Sequence, residues 1–239
     1  MQLPKVLVFT PVYEKKDYSL NRFLKHVSKI KYPKDRIEHI FIDNSATDEY
    51  YKSIKRKVEA FGFKIYHIER GANSREALAR SQNFARRQAL NKDYDYLFSI
   101  ESDIYVPEDV LIKLLTHGKD VVTALYHIGD REKGQRVPCI TLPEWSETLN
   151  AWGTRLLRKE EFELYTNIGL IQVQAGGMGV CLMSKLAFES TPFFYDPRFQ
   201  GHSDIYFFNK MFMHHIGVFV DTNIICEHEN TPWDTVEDR

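Results

Sequence analysis

Cysteine is scarce in this chain, and its placement excludes two architectures. Cys139, Cys181 and Cys226 are unevenly spaced and form no C-x-x-C pair, so neither a disulfide framework nor a structural zinc site is expected. Excess charge is also missing. With 32 basic and 33 acidic residues the formal net charge is −1, too little for a global field that would hold a polyanion, and nucleic acid is not an expected partner. No run of about 18 uncharged apolar residues occurs, so no membrane span is expected. The opening MQLPKVLVFTPVY lacks an apolar stretch followed by a small-residue cleavage site. Together these absences predict a cytoplasmic protein with reduced thiols. Glycine is absent from the first loop, TPVYEKKDYS, which argues against a dinucleotide dehydrogenase, with its G-x-G-x-x-G, and against nucleotidyltransferases with a basic glycine-rich loop there.

What is present is the composition of an ordinary globular protein, 239 residues with 43% apolar and 27% charged side chains, enough to bury a substantial core. No repeat, low-complexity tract or linker divides the chain, so one domain is expected over residues 1–239. Short apolar runs at Val6–Phe9, Ile37–Ile42, Phe63–Ile68 and Tyr94–Ile100 read as strands. Helical periodicity separates them at Ser19–Tyr32, Thr47–Phe61 and Ser74–Leu90. This alternation predicts a doubly wound α/β sheet with ligands at the carboxyl ends of its strands. A helix over Val106–His117, with Pro107 near its first position, and strands at Val121–Tyr126 and Val218–Cys226 follow. A glycine-rich run enters a further strand at Ala175–Met183, and Asp204–His215 reads as helical. Residues 127–166 resist assignment and read as a functional excursion. The apolar face of the first helix, Leu20, Phe23, Leu24, Val27 and Ile30, predicts core packing, with a membrane-surface role as the alternative.

The chemistry concentrates where strands end. In YLFSIESDIYVPEDV an apolar strand runs into Glu101, Ser102 and Asp103. Side chains at i and i+2 of extended chain face the same way, so two carboxylates would converge as hard ligands for a divalent cation, with Ser102 turned away. The alternative is a pair of solvated carboxylates helping to cap the next helix. In FIDNSATD, Asp43 ends the second strand, where it could accept from a nucleobase or ribose; Asp43 or Ser45 could instead cap a helix.

Thr10-Pro11-Val12-Tyr13 after the first strand, Asp43-Asn44-Ser45 after the second and Glu101-Ser102-Asp103 after the fourth together resemble the family 2-like glycosyltransferases of GT-A fold. The resemblance implies a mostly parallel central sheet flanked by helices, with a nucleotide-sugar binding half of about residues 1–125 and an acceptor-binding half of about 126–239. It implies that Thr10, Pro11, Tyr13 and Asp43 hold the base, while Glu101, Ser102 and Asp103 hold ribose and metal. QAGGMGVCLMSKLAFES is similar to the family's acceptor segment, GHSDIYFFNKM to its acidic helix start, where Asp204 would be the catalytic base, and FVDTNIICEHE to its final strand, where His228 would be a further metal ligand. Two positions depart from the family pattern: Gln82-Asn83 stands for the usual Arg-Asn, leaving Arg80 or Arg86 as substitutes, and Ser203-Asp204 for the usual Glu-Asp.

The expected activity is therefore transfer of a sugar from a nucleotide-diphosphate-sugar to a glycan, lipid or protein acceptor, with Mn2+ or Mg2+ bound and inversion through Asp204 as general base. His202 is a rival base. Gly176, Gly177 and Gly179 suit either a turn or close approach of backbone to a sugar. Trp145, Trp152 and Trp233 offer flat faces to a sugar ring but equally suit a core. The loops of residues 127–170 and the tail after His228 would be lids. The rival reading is a non-catalytic sugar-nucleotide or glycan-binding module of the same fold.

Overall fold

The structure, a computed structural model, describes residues 2–130, 135–148, 150–198 and 201–229. Trp233 and the tail beyond Glu229 lie outside them, as does the side chain of Trp152. The first half reads β1 (Val6–Val12), α1 (Asp17–Val27), β2 (Ile37–Asp43), α2 (Glu49–Ala60), β3 (Lys64–His67), α3 (Ser74–Asn91), β4 (Tyr96–Ile100), β5 (Ile104–Tyr105), α4 (Val110–Thr116) and β6 (Val121–Leu125). Two hairpins follow, β7 (His127–Asp130) with β8 (Gln135–Pro138) and β9 (Thr141–Ser146) with β10 (Ala151–Leu156). The chain closes with α5 (Phe162–Tyr165), β11 (Leu170–Val173), β12 (Val180–Ser184), α6 (Lys185–Ser190), α7 (Ser203–Met213), β13 (Val218–Ile225) and β14 (Glu227–His228). The excursion that resisted assignment is thus built largely of two hairpins.

Eight strands make the main sheet in the order β11-β13-β6-β12-β4-β1-β2-β3. β1 runs parallel to both β2 and β4, and β2 parallel to β3. Strand β12 runs antiparallel between β4 and β6. The central strands are mostly apolar and almost wholly buried because both sheet faces are covered. Val6, Val8, Phe41 and Phe98 point into one core with Leu20, Phe23 and Leu24 of α1, Ile54 and Val58 of α2, and Leu111 of α4. Leu7, Phe9, Ile40, Ile42 and Leu97 point into the other with Ala85 of α3, Phe188 of α6 and Phe207 of α7. The alternation of period two thus sorts each strand between two helical layers.

The apolar face of α1 is buried against the sheet, the core packing that its periodicity predicts. One expectation needs correction. Helix α4 begins at Val110 and leaves Pro107 outside. The Glu108 carbonyl is taken by the Lys31 N–H at 2.7 Å, and a turn closes from Val110 N–H to Pro107 O at 3.1 Å, so the segment enters the helix four residues after Val106. Among the described residues no helix is long and apolar enough to cross a membrane.

Candidate active site

The acidic segment after β4 is shaped by pairing on both sides. Glu101 N–H donates to Gly179 O at 2.9 Å, which holds the end of β4 against β12, and Ile104 N–H closes a turn onto Glu101 O at 3.1 Å. The next strand, β5, pairs antiparallel with β14, Ile104 opposite His228. Glu229 N–H donates to Asp103 O at 2.8 Å. A contact spanning most of the sequence therefore delivers His228 to the acidic turn. The two carboxylates converge through this turn rather than by extended alternation, and Ser102, predicted to turn away, is itself 2% exposed with no hydrogen-bond partner for its hydroxyl oxygen among the described residues.

One ligand atom from each of Glu101, Asp103 and His228 lies within 4.8 Å of the others. His228 presents Nε2 to Asp103 Oδ2 at 3.5 Å, while its Nδ1 meets the His127 carbonyl at 2.9 Å. That second bond makes Nδ1 the donor and aims Nε2 at the carboxylates, the arrangement that orients imidazole ligands in metal sites. Asp103 Oδ1 is buried and has no hydrogen-bond partner among the described residues. A carboxylate oxygen shielded in this way calls for a donor or a cation. Two carboxylates and an imidazole, with an acceptor oxygen left over, fit a divalent ion of the Mn2+ or Mg2+ type.

A lysine also faces this cluster. Lys16, between the turn after β1 and the start of α1, places Nζ 2.9 Å from Asp103 Oδ2 and 3.8 Å from Glu101 Oε2. Burial alone would raise the Asp103 pKa, but the Lys16 ammonium and His228 outweigh it and hold that carboxyl well below the usual range. Glu101 goes the other way: burial raises it, and Asp103 and Asp204 add to the rise against the opposing charges of Lys16 and His228. Burial would lower His228, yet its contacts with Asp103 raise it.

The nucleotide-side residues gather at the ends of β1 and β2. Asp43 is fully buried, its Oδ1 accepting from Ser45 N–H at 3.1 Å and Ser45 Oγ at 2.6 Å, its Oδ2 lying 2.6 Å from His67 Nδ1. Neither Asp43 nor Ser45 caps α2, which starts after Asp48 without a side-chain cap; Ser45 Oγ accepts instead from Glu14 N–H at 3.2 Å. Tyr13 and Pro11 are partly exposed at the same edge. The side chain of Thr10 faces the core, its Oγ1 2.9 Å from His39 Nε2. The Arg70 guanidinium sits over the Tyr13 ring at 5.3 Å and donates to Asn44 O at 3.2 Å. Sequence reasoning passed over Arg70; the signal was a cation just past the end of β3.

Asp204 stands in the first turn of α7, partly exposed. Burial pushes its carboxyl pKa up, opposed by His202 and by the Ile205 N–H, which donates to Oδ1 at 2.8 Å. Its electrostatic influence reaches Glu101 and Cys139. The substitute arginines are held by other partners: Arg80 binds Glu76 at 2.9 Å and Glu69 at 3.0 Å, and Arg86 binds the carbonyls of Phe188 at 2.5 Å and Glu189 at 3.0 Å. The two departures from the family pattern instead meet each other, Ser203 Oγ donating to Gln82 Oε1 at 2.5 Å in a buried contact between α7 and α3.

The glycines make room for side chains. A Cβ on Gly176 would strike Thr123, one on Gly177 the ring of Tyr126, and one on Gly179 would come within 2.5 Å of Ile104 Cδ1. Tyr126 is thereby packed under the site, accepting from Gly179 N–H at 3.1 Å and standing edge-on to His228 at 5.5 Å. Trp145 sits on β9, 44% exposed.

A mixed sheet of this order, with an acidic turn at the end of an inner parallel strand, has the GT-A fold. The sequence pattern of glycosyl transferase family 2 matches residues 7–175, and the chain belongs to that family. The matched segment contains every predicted nucleotide-side residue and ends before Asp204 and His228. The crystal structure of GalNAc-T7 with UDP, GalNAc and Mn2+ is similar at a TM-score of 0.66 and 16% identity, over 95% of this chain and 44% of that one. The mannosyltransferase PcManGT from Pyrobaculum calidifontis, in complex with GDP-Man and Mn2+, is similar at 0.63 and 16%, over 97% and 58%. The chain thus spans about half the length of these two proteins. No curated protein matches the sequence.

Proposed function

We propose that the chain is one catalytic domain that transfers a sugar from a nucleotide-diphosphate-sugar to an acceptor hydroxyl with inversion. The observation that carries this reading is the meeting of Glu101, Asp103 and His228 around a buried carboxylate oxygen with no hydrogen-bond partner among the described residues. These residues would hold Mn2+ or Mg2+, which as a Lewis acid offsets the charge gathering on the leaving diphosphate. Residues 1–125 form the nucleotide side. There Tyr13, Asn44 and Arg70 line the edge past β1 to β3, and Asp43 organises it from below through Ser45 and His67. Residues 126–239 form the acceptor side. Asp204, its pKa raised by burial, takes the proton of the attacking hydroxyl as general base. Attack from the face opposite the leaving diphosphate inverts the anomeric carbon.

Calorimetric titration with UDP, GDP, CDP and TDP, each with Mn2+ and with chelator, tests the reading. UDP and GDP come first, because the two solved relatives hold UDP and GDP-Man. One nucleotide is expected to bind with Mn2+ and to be lost with chelator; no binding to folded protein would refute the proposal. Asp204→Asn is expected to leave that affinity intact while slowing donor turnover about 100-fold or more. An equal rate would remove Asp204 from the base role.

A further inference from the structure

Lys16 is a cation already seated among the residues that would hold the metal. Its ammonium lies 2.9 Å from Asp103 Oδ2, the same oxygen that His228 Nε2 approaches at 3.5 Å, and 3.8 Å from Glu101 Oε2. The Lys16 side chain is 17% exposed and that of Asp103 4%, so the pair is largely shielded from water, yet the lysine keeps a route outward. Lys16 stands at the junction of the short helical turn Glu14–Lys16 and α1. Next to this junction the Glu14 N–H donates to Ser45 Oγ at 3.2 Å, so Lys16 stands on the chain segment that joins the acidic turn to the nucleotide side.

We propose that Lys16 is an internal counter-ion that competes with the divalent metal for Asp103 and Glu101, and that it transfers to the donor's diphosphate when the metal enters. The inference rests on the metal reading above. A metal held by the Asp103 and Glu101 carboxylates and an ammonium 2.9 Å from Asp103 Oδ2 are like charges within a few ångströms, and they repel strongly. Displaced alone, Lys16 would give up the Asp103 and Glu101 carboxylates that it faces. With a diphosphate present it gains another anion, so metal and nucleotide each favour the other's binding, as linkage requires. The arrangement makes the empty enzyme a poor metal binder and the donor-loaded one a good one.

The test measures Mn2+ binding without nucleotide, by the loss of the free-ion paramagnetic resonance signal, in wild type, Lys16→Met, Lys16→Gln and Lys16→Arg. The neutral variants are expected to bind Mn2+ about ten-fold or more tightly than wild type, and Lys16→Arg to stay as weak as wild type. Adding the nucleoside diphosphate found by calorimetry is expected to tighten Mn2+ binding in wild type far more than in Lys16→Gln. Circular dichroism identifies any variant that fails to fold, and Met and Gln provide two independent neutral replacements. Equal Mn2+ affinity in wild type and both neutral variants would overturn the proposal while leaving the metal centre standing. Absence of Mn2+ binding in every protein, with and without nucleotide, would overturn the metal centre itself.

Discussion

Ser203→Ala removes the hydroxyl that ties the start of α7 to α3. Ser203 is 3% exposed and Gln82 1%, and their bond of 2.5 Å joins elements far apart in sequence. Losing the bond leaves the Gln82 amide oxygen where water does not reach. A net hydrogen bond contributes about 1 kcal/mol and an orphaned buried acceptor costs about 1–3 kcal/mol, so Ser203→Ala is expected to destabilise the fold by about 2 kcal/mol. Gln82→Leu strands the serine hydroxyl in the same way. The double variant removes both polar groups, and it should therefore be about 1–2 kcal/mol more stable than the sum of the two losses predicts. Urea unfolding followed by circular dichroism measures all four proteins. Because Asp204 follows Ser203 directly, Ser203→Ala should also slow donor turnover while leaving nucleotide diphosphate affinity unchanged. Additivity within about 0.5 kcal/mol would refute the pairing argument.

Burial pushes the His39 imidazole down to about 3 from an ordinary 6.5. It stays neutral in the fold while the unfolded chain takes a proton, so its contribution is complete above pH 6.5 and is lost as pH falls toward 3. The loss runs at about 1.4 kcal/mol per pH unit, or about 2 kcal/mol between pH 7 and 5. His39→Gln should flatten that part of the slope in urea titrations at the two pH values, and an unchanged slope would refute it. Gly177→Ala should cost about 1–3 kcal/mol by forcing the Tyr126 ring aside, and should weaken Mn2+ binding because that ring stands edge-on to His228; an unchanged melting temperature would contradict the packing. Arg70→Ala should weaken nucleoside diphosphate binding several-fold in calorimetry with little change in urea midpoint, and equal affinity would place Arg70 outside the site.

Much of the first half was legible because its strands are buried on both faces. Val6–Phe9 is a continuous apolar run, and Ile37–Ile42 is apolar but for Glu38 and His39, lengths that suit buried strands. Their ends were less legible. Thr10, grouped with the nucleotide residues by its motif, directs its side chain to His39, because the alternation of side chains along a strand does not stop where a motif begins. Arg80 and Arg86 carry the charge expected of a substitute, but Glu76 of α3 captures the first and carbonyls of α6 the second. Gly177 reads in one dimension as either a turn or a sugar contact; in three it is the space required by Tyr126.

The sequence alone determined the class of fold and the candidate chemistry, since apolar periodicity sets the strands and helices and the acidic residues stand where those strands end. Tertiary structure decided what meets what. Strand β12 inserts between β4 and β6 although it follows both in the chain, and β14 carries His228 to Asp103 by pairing with β5. Lys16 enters the acidic cluster from the far side of the sequence, and Ser203 finds Gln82. Such contacts depend on hydrogen-bond pairing and packing between distant segments, and a local pattern of residues carries no term for either.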